Sequence, residues 1–415
     1  MKRTLSVFLV LLALAVPGFA QKKAIGDLLV FNNWSAASEI GALNVVRGAF
    51  QAQGGIWNDI TIAHDTGASI PLINMVTGGN PPDVFIENNV SLRRQMMKQG
   101  LLADLTSFYN ASGADKFIPK AAKDAMVVDG KVVSIPLGIH IVGTMFYNIA
   151  AAKKAGVDPK SWKTVDAMFA DFPKIRKAGL LPLVVGAQKW QLDYLLGALV
   201  AQVDGQVYDD VFGLTPKKAS IDSKGMRDAL ALFRKIQQEA DPGAANRNWN
   251  DTTALVIRGD ALMQFHGDWM KGEFIGAKKV LGVDYDTFFL PGAKGVVVTV
   301  DEETFLKPNN DTKKNTQELL AGIMLQKEIT EKFAAIKGST PIRTDASANV
   351  DKHAKMVLAA LSDPKLGHPV RNITMDNDYA GAYADVTDAF WNTPSMTADQ
   401  YIKALQTSFD QVFSK

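Results

Sequence analysis

Apolar runs of strand length alternate with segments of helical spacing through the first part of the chain. Three strands are predicted there, at residues 28–31, 60–63 and 84–86. Two helices are predicted between them, over residues 36–52 and 69–78. The apolar residues expected to face inward are Ile40, Leu43, Val46 and Phe50 in the first helix and Ile70, Ile73 and Val76 in the second. This alternation is typical of a parallel sheet with right-handed crossovers.

A second alternating series follows a longer apolar strand at residues 138–148. Its predicted elements are strands at 183–185 and 261–265 and helices at 193–202 and 226–238. A strand at 296–300 is expected to return to the first series, and residues 312–414 are predicted to be mostly helical. The pattern predicts an α/β fold of two lobes with a ligand cleft between them. Each lobe is expected to be a mostly parallel sheet flanked by helices.

The order of these elements also predicts how the chain is divided. Residues 1–20 are assigned to a signal peptide, 21–137 with 300–330 to lobe one, and 138–299 with 331–415 to lobe two. Because strands rather than a flexible tether join the lobes, we expect a hinge and not two independent domains.

The first 20 residues have the three parts of an export signal. Lys2 and Arg3 precede an apolar stretch at residues 5–16, and small residues precede a predicted cleavage site near Ala20. The sequence contains no cysteine, so we expect no lipid anchor on a cysteine, no disulfide and no thiolate metal site. The expected location is the periplasm. The formal net charge of +2 gives no sign of a nucleic-acid partner, and a monomer is expected.

The most informative segment covers residues 259–274, with the letters GDALMQFHGDWMKGEF. The strand at 261–265 is expected to end at Gly267. Asp268 can then cap a helix that starts at Trp269. A carboxylate and a flat apolar ring at the carboxyl end of a strand suit a sugar, whose C–H face stacks while its hydroxyls donate hydrogen bonds. The alternative is a core tryptophan beside an ordinary capping aspartate.

Four of the seven tryptophans fall at or near predicted strand-to-helix turns, namely Trp34, Trp190, Trp249 and Trp269. A contact with ligand is predicted for Trp34 and Trp269. Ligand contact and core packing fit Trp190 and Trp249 equally. Asp251 is expected to cap a helix that starts just after Trp249.

Five stretches of the chain contain short motifs whose order and spacing extend over nearly all of the residues after 20. Residues 259–274 are similar to the signature G-x-A-A-M-x-x-x-G-D-W, residues 78–84 to G-x-x-P-D-V, and residues 337–343 to K-G-S-I-P-V-R. Residues 33–43 and 129–148 are similar to a first strand with its helix and to a first hinge crossing. Together they resemble the bacterial extracellular solute-binding proteins of family 1, the periplasmic sugar receptors of ABC importers. The resemblance implies a two-lobed receptor that delivers its ligand to a membrane permease.

The resemblance also implies roles for single residues. In the glucose-binding branch of the family, residues at the positions of Glu39 and Lys337 bind sugar hydroxyls, and the family has a hydrogen-bonding Asp or Asn at the position of Asp301. From the residues alone, Glu39 and Lys337 could equally be solvated helix charges. His140, on the long strand, could donate to a sugar or simply pack there.

Two positions depart from the glucose-binding branch. Glu87 stands where that branch has a lysine, and Asp376 lies in a segment where the branch has a histidine. Acceptors thus replace two basic donors, which favours another hexose or a protonated amino sugar over glucose.

The predicted function is a periplasmic substrate-binding protein of an ABC importer that binds a monosaccharide and uses neither a cofactor nor a metal. Two other classes stay open: a receptor for an oligosaccharide or a polyamine, and a secreted glycosidase that uses two of the carboxylates. The sequence has no Gly-x-Ser-x-Gly, His-Glu-x-x-His or phosphate-loop motif, so an enzyme is the weaker hypothesis.

Overall fold

The computed structural model describes residues 23–62, 69–86, 90–363, 365–370 and 374–414. The predicted signal peptide at residues 1–20 and Glu87 lie outside these residues, so both stay predictions. In the described part of the chain, no helix has the length and apolar character needed to cross a membrane.

Short strands and helices follow one another along the whole described chain. The strands are β1 Asp27–Asn32, β2 Ile56–Thr61, β3 Val84–Ile86, β4 Val127–Val128, β5 Lys131–Val132, β6 Ser134–Asn148, β7 Leu181–Val184, β8 Ala261–Gly267, β9 Tyr285–Phe288, β10 Val296–Phe305 and β11 Gly367–Pro369. The α-helices are α1 Ala37–Ala52, α2 Ser69–Thr77, α3 Val90–Lys98, α4 Thr106–Ser112, α5 Lys120–Met126, α6 Ile149–Ala155, α7 Val165–Ala170, α8 Phe172–Lys177, α9 Lys189–Val203, α10 Gly205–Phe212, α11 Lys224–Glu239, α12 Trp249–Arg258, α13 Met270–Gly276, α14 Asp311–Met324, α15 Lys327–Lys337, α16 Lys352–Ser362, α17 Asn377–Asn392 and α18 Ala398–Phe413.

The main sheet runs without interruption in the order β2-β1-β3-β10-β6-β8-β7. Strand β1 is parallel to β2 and β3, and β7 is parallel to β8, which agrees with the predicted crossovers. Strands β6 and β10 are antiparallel to each other and to their outer neighbours. The two parallel halves are therefore joined into one mixed sheet through the two long strands.

Two large hydrophobic cores lie along this sheet, and β6 contributes to both. The first core includes Leu28, Val46, Leu320 and Phe333, and the second core includes Phe172, Leu196, Phe233, Met263 and Tyr383. Ile139 and Ile141 of β6 pack in the first core, whereas Met145 and Phe146 pack in the second. All 15 residues of β6 are buried, so this strand passes from one core into the other.

The packing also bears on the predicted lobe boundaries. Phe333, Ile342 and Val357 lie in the first core, although the sequence assigns residues 331–415 to lobe two. The boundaries stay a prediction, but this packing favours placing residues 331–362 with lobe one.

The predicted inward faces of the first two helices are wrong in part. In α1, Leu43, Val46 and Phe50 are buried as expected, but Ile40 is 44% exposed and Ala42 is buried instead. The buried stripe of α1 follows the spacing 42, 43, 46 and 50, and Ile40 falls outside it.

In α2, the predicted Ile70 and Ile73 are exposed, and Leu72 is fully buried. A short helix that is apolar on several sides does not reveal from its sequence which side meets the sheet. Strand β2 begins at Ile56, whereas the sequence predicts a strand at 60–63. It lies at the edge of the sheet with Trp57 as its one buried residue, so it lacks the apolar run that marks a buried strand.

Candidate functional site

The segment after β8 brings an indole and a carboxylate close to the crossing strands. A Cβ atom at Gly267 would lie 2.2 Å from the Trp269 ring, so the indole packs directly on the glycine backbone. Helix α13 starts at Met270, and the Asp268 side chain does not cap it. The expected capping role of Asp268 is therefore wrong. Its carboxylate is turned toward the interior, where two histidines bind it.

His140 lies on β6 between two aspartates. Its Nδ1 is 2.5 Å from Oδ1 of Asp268, and its Nε2 is 3.0 Å from Oδ2 of Asp301. Burial alone would lower the pKa of His140, but the charges and hydrogen bonds of Asp301 and Asp268 outweigh burial and raise it. The structure thus brings together three residues that the sequence singled out separately.

His353 of α16 is a further member of this group that the sequence did not reveal. Its Nε2 lies 3.1 Å from Oδ2 of Asp268, and its Nδ1 lies 3.2 Å from Oγ1 of Thr287. Burial alone would raise the pKa of Asp268, but the charge and hydrogen bond of His140, with the hydrogen bond of His353, hold it well below its ordinary value. A single histidine inside a helix gives no signal in the sequence, because its partner is contributed by a distant segment.

Lys337, at the end of α15, extends the group toward α1. Its Nζ lies 3.6 Å from Oδ2 of Asp301 and 3.9 Å from Oε1 of Glu39. The same ammonium stands 4.8 Å from the centroid of the Trp34 ring, a cation–π distance. Lys337 is buried, so its expected alternative as a solvated helix charge does not hold.

The second carboxylate oxygen of Glu39 accepts hydrogen bonds from the backbone just before it in the chain. Oε2 accepts hydrogen bonds from the backbone N–H groups of Ser35 and Ala36, at 3.0 and 2.9 Å. Burial raises the pKa of Glu39, although Lys337 and these two N–H groups act in the opposite direction. One carboxylate oxygen therefore holds the start of α1, and the other points toward Lys337.

Aromatic rings surround Trp269 on the side of the second core. Its ring centroid is 5.6 Å from that of His140, 5.0 Å from that of His266 and 6.5 Å from that of Trp190. Tyr194 packs edge-on at 6.1 Å. These rings form one aromatic wall, in which His266 and Tyr194 are members that the sequence did not predict.

Trp190 and Trp249 join this wall from helices α9 and α12. Their rings lie 5.4 and 6.5 Å from that of His266. Trp249 is the first residue of α12, and Asn248 caps that helix, so the expected cap by Asp251 is wrong. The helix starts earlier than its apolar spacing indicates because the asparagine before it supplies the capping oxygen.

Several buried polar atoms around His140 have no hydrogen-bond partner within the described chain. They are Oγ of Ser38, Oγ1 of Thr299, Oγ of Ser339, Oγ1 of Thr340 and Nε2 of His266. Thr299 faces His140 across the sheet, and Thr340 bonds the backbone of Ile139 next to it. Buried polar groups are nearly always paired in folded proteins, so this concentration marks unused hydrogen-bonding capacity.

Among the described residues, one predicted site residue does not join the group. Asp376 is exposed, and its carboxylate caps α17 by accepting from the backbone N–H groups of Asp378 and Tyr379. Glu87 lies outside the described residues. Among the residues that were searched, the structure has no group of three or more histidine and acidic side chains arranged to hold a metal ion.

A cavity of about 370 Å³ lies beyond α13, between that helix, α15 and α16. Its walls include Lys271, Ser339 and Asp351. None of Trp34, His140, Trp269 and Lys337 lines it, so this cavity meets the residues around His140 through Ser339 and not through the aromatic or charged side chains.

Residues 49–360 match the family described as bacterial extracellular solute-binding protein. This stretch is more than half of the chain, and the chain belongs to that family. The match confirms the resemblance that the motifs indicate.

Proteins similar to this chain over most of its length have related descriptions. A probable sugar-binding periplasmic protein of Mesorhizobium japonicum is 32% identical over 387 residues, covering 91% of this chain and 92% of that protein. A protein of Rhizobium meliloti with the same description is 29% identical over 327 residues, covering 78% of each.

Solved structures show the same fold at low identity. A chitin oligosaccharide binding protein superposes with a TM-score of 0.80 at 16% identity, covering 94% of this chain and 99% of that one. The bacterial solute receptor AcbH, described as preferring β-D-galactopyranose, gives a TM-score of 0.78 at 18% identity, with the same coverage of both chains. These likenesses concern the fold, and they confirm the two-lobed α/β class.

Proposed function

We propose that this chain is the periplasmic substrate-binding protein of an ABC importer, and that it binds a monosaccharide between its lobes and delivers it to a membrane permease. The observation that supports this most is a chain of contacts between the two cores. It joins Trp34 of the first core to Trp269 of the second through Lys337, Asp301 and His140. A ligand held at this junction touches both lobes at once.

The chemistry of the junction suits a sugar. Trp34 and Trp269 offer aromatic faces, Glu39 and Asp301 offer acceptors, and Lys337 offers donors. These five side chains keep between 3% and 9% of their surface exposed, whereas His140 and Asp268 keep none. We therefore assign ligand contact to the first five residues. His140 and Asp268 are assigned the role of holding these ligand-contacting side chains in position.

The near-complete burial of these groups implies that a ligand enters when the lobes separate. Strands β6 and β10 supply residues to both cores, so bending of these two strands is the proposed hinge motion. Small-angle scattering should show a smaller radius of gyration when sugar is added. An unchanged radius at saturating sugar would argue against closure, although not against binding.

The compactness of the aromatic wall favours a monosaccharide. The rings of Trp190, Trp249, Trp269 and His266 are linked by centroid separations of at most 6.5 Å, so they form one wall and not a row of separate subsites. An oligosaccharide receptor is the second candidate, because the superposed proteins include one described as binding chitin oligosaccharide. Of the two ligands that the sequence favoured over glucose, the amino sugar loses the support of Asp376, because that residue is an exposed helix cap. Glu87 lies outside the described residues, so its part stays a prediction.

The carboxylates favour binding over hydrolysis. Both oxygens of Asp268 are engaged by histidines, and one oxygen of Glu39 accepts from two backbone N–H groups. A glycosidase needs a carboxylic acid that is free to protonate the leaving oxygen beside a second carboxylate. Membership of a solute-binding family supports the same conclusion.

Titration calorimetry of the purified chain tests this proposal. The ligands are glucose, galactose, mannose, xylose, N,N′-diacetylchitobiose and spermidine. We expect a monosaccharide to bind at least tenfold more tightly than the others, a difference of about 1.4 kcal/mol. Tightest binding of the disaccharide would favour the second candidate. Binding of spermidine alone, or release of free sugar from the disaccharide, would refute the proposal.

A further inference from the structure

The two ring nitrogens of His140 both face carboxylate oxygens. Nδ1 lies 2.5 Å from Asp268 and Nε2 lies 3.0 Å from Asp301. An ionised carboxylate only accepts hydrogen bonds, and a neutral imidazole has one donor and one acceptor nitrogen. A neutral ring would therefore place a lone pair against a carboxylate on one side. When both carboxylates are ionised, only the imidazolium form, with both nitrogens donating, satisfies both contacts.

The charged and titratable groups linked to this ring come from five segments of the chain. Asp268 follows β8, Asp301 lies on β10 and Lys337 ends α15. Beyond them, Glu39 of α1 faces Lys337, and His353 of α16 faces Asp268. Without a charge on His140, the ammonium of Lys337 would be the one fixed positive charge of this described group against three carboxylates, two of which it approaches. A second positive charge brings the group close to neutrality, because burial also favours the protonated form of Glu39.

We propose that His140 is held permanently as an imidazolium by Asp268 and Asp301, and that this buried charge positions both carboxylates and makes the site prefer an uncharged sugar over a protonated amino sugar. The preference for a sugar rests on the proposed function, whereas the charge state of His140 does not. His140 is a positioning residue in this proposal: it acts on the ligand through Asp301.

His266 provides the contrast within the same site. It lies on β8 among the rings of Trp190, Trp249 and Trp269, and its Nε2 has no hydrogen-bond partner among the described residues. Burial without a compensating charge lowers the pKa of His266 to about 3. Both histidine side chains are buried. Their different partners make His140 positively charged and leave His266 neutral.

Nitrogen-15 NMR of the histidine rings tests the charge state without any ligand. At neutral pH we expect both nitrogens of His140 to be protonated, while His266 in the same spectrum shows a neutral ring. The ring signals that disappear in the His140→Gln variant are those of His140. If that variant does not fold, Asp301→Asn assigns them by a shift confined to His140. A neutral ring at His140 would overturn the inference, whatever the protein binds.

The ligand preference is tested with galactose and galactosamine as probes. In the unaltered chain we expect galactose to bind more tightly than galactosamine. In His140→Gln, the loss of one positive charge should move the ratio of the two dissociation constants toward galactosamine by roughly tenfold or more, because charges interact strongly in an enclosed site. An unchanged ratio would overturn the specificity role.

His266→Gln is the matched control for the ligand ratio. It removes a neutral ring from the same aromatic wall, so it is expected to change the affinities for both probes but not their ratio. A shift of the ratio in this variant as large as in His140→Gln would refute a role for charge. If neither these probes nor glucose, mannose or xylose bind the unaltered chain while the NMR result stands, then the proposed function fails and the charge assignment survives.

Discussion

Oδ2 of Asp268 lies 3.1 Å from Nε2 of His353, so the segment after β8 is tied directly to α16. Strand β8 belongs to the second core, whereas Val357 of α16 packs in the first. One buried hydrogen bond therefore joins the two cores beside the candidate site. Asp268 is accordingly as important for the architecture as for any ligand.

Asp268→Asn should strongly destabilise the fold. The substitution keeps the shape of the side chain but leaves the charge of His140 partly unbalanced in the interior, which is expected to cost about 3–5 kcal/mol. Urea melts followed by circular dichroism measure the change. Asp376→Asn is the matched control, because asparagine also caps helices well, and a change of less than about 0.5 kcal/mol is expected. Equal effects of the two variants would contradict the buried role of Asp268.

Trp269→Phe should weaken sugar binding while the fold is retained. Phenylalanine keeps an apolar ring against Gly267 but loses much of the indole face, so affinity is expected to fall by roughly 1–2 kcal/mol. Titration calorimetry gives this difference. Trp162→Phe is the control, because Trp162 is also buried in the second core but contacts Phe288 and Asp171 rather than the aromatic wall. Loss of affinity in the control, or none in Trp269→Phe, would refute the assignment.

The burial of Glu303 on β10 should make the stability of the folded chain depend on pH. Its side chain is fully buried, and neither oxygen has a hydrogen-bond partner in the part of the chain that the structure describes. Burial raises its pKa from 4.5 to about 8. The folded chain therefore keeps a proton that the unfolded chain loses above pH 4.5. The contribution of Glu303 to the free energy of unfolding is complete below pH 4.5 and is lost as the pH rises toward 8.

Glu303→Gln should remove this part of the pH dependence. Glutamine matches the shape of the protonated acid and stays neutral. The stability of the variant relative to the unaltered chain should therefore rise by about 5 kcal/mol between acidic and alkaline conditions. Denaturant melts across the pH range measure the gap. A gap that stays constant from pH 4.5 to 8 would show that Glu303 is ionised throughout.

The backbone conformation of Gly338 should fix the position of the neighbouring Lys337 side chain. Gly338 has φ of 82°, and a Cβ atom there would lie 2.5 Å from the backbone nitrogen of Gly272. Gly338→Ala should therefore force α15 and α13 apart and displace the ammonium of Lys337, which lowers sugar affinity. Gly113→Ala is the control, because Gly113 has φ of 67° and open space around it. Only a backbone cost of about 1–2 kcal/mol is expected there, with no effect on binding.

The sequence predicted the order of strands and helices well, because alternation and helical spacing reflect burial on one or two faces. It did not predict which side of α2 faces inward or where β2 begins. Those features depend on the strands that these elements meet, and neither has a strong apolar run of its own. Their placement is decided by tertiary packing.

The sequence pointed to single residues of the candidate site, but it did not indicate how they are arranged. Glu39, Asp301 and Lys337 were predicted through a resemblance, Trp34 through its place at a strand-to-helix turn and Asp268 through its motif. Their contact with a ligand stays a prediction. Nothing in the sequence indicates that Asp268 meets His353, 85 residues further along the chain. The exposed position of Asp376 was likewise invisible, because an acidic residue before a helix suits a cap and a ligand site equally.

Strand β10 lies at the centre of the sheet, between β3 and β6, although it is synthesised after β7 and β8. The first core needs this strand, and the second core needs Tyr383, Phe390 and Tyr401 near the end of the chain. A nascent polypeptide on the ribosome therefore has no complete interior until translation is nearly finished. Both cores can be completed only late in synthesis, an order that is compatible with passage of an unfolded chain through an export channel.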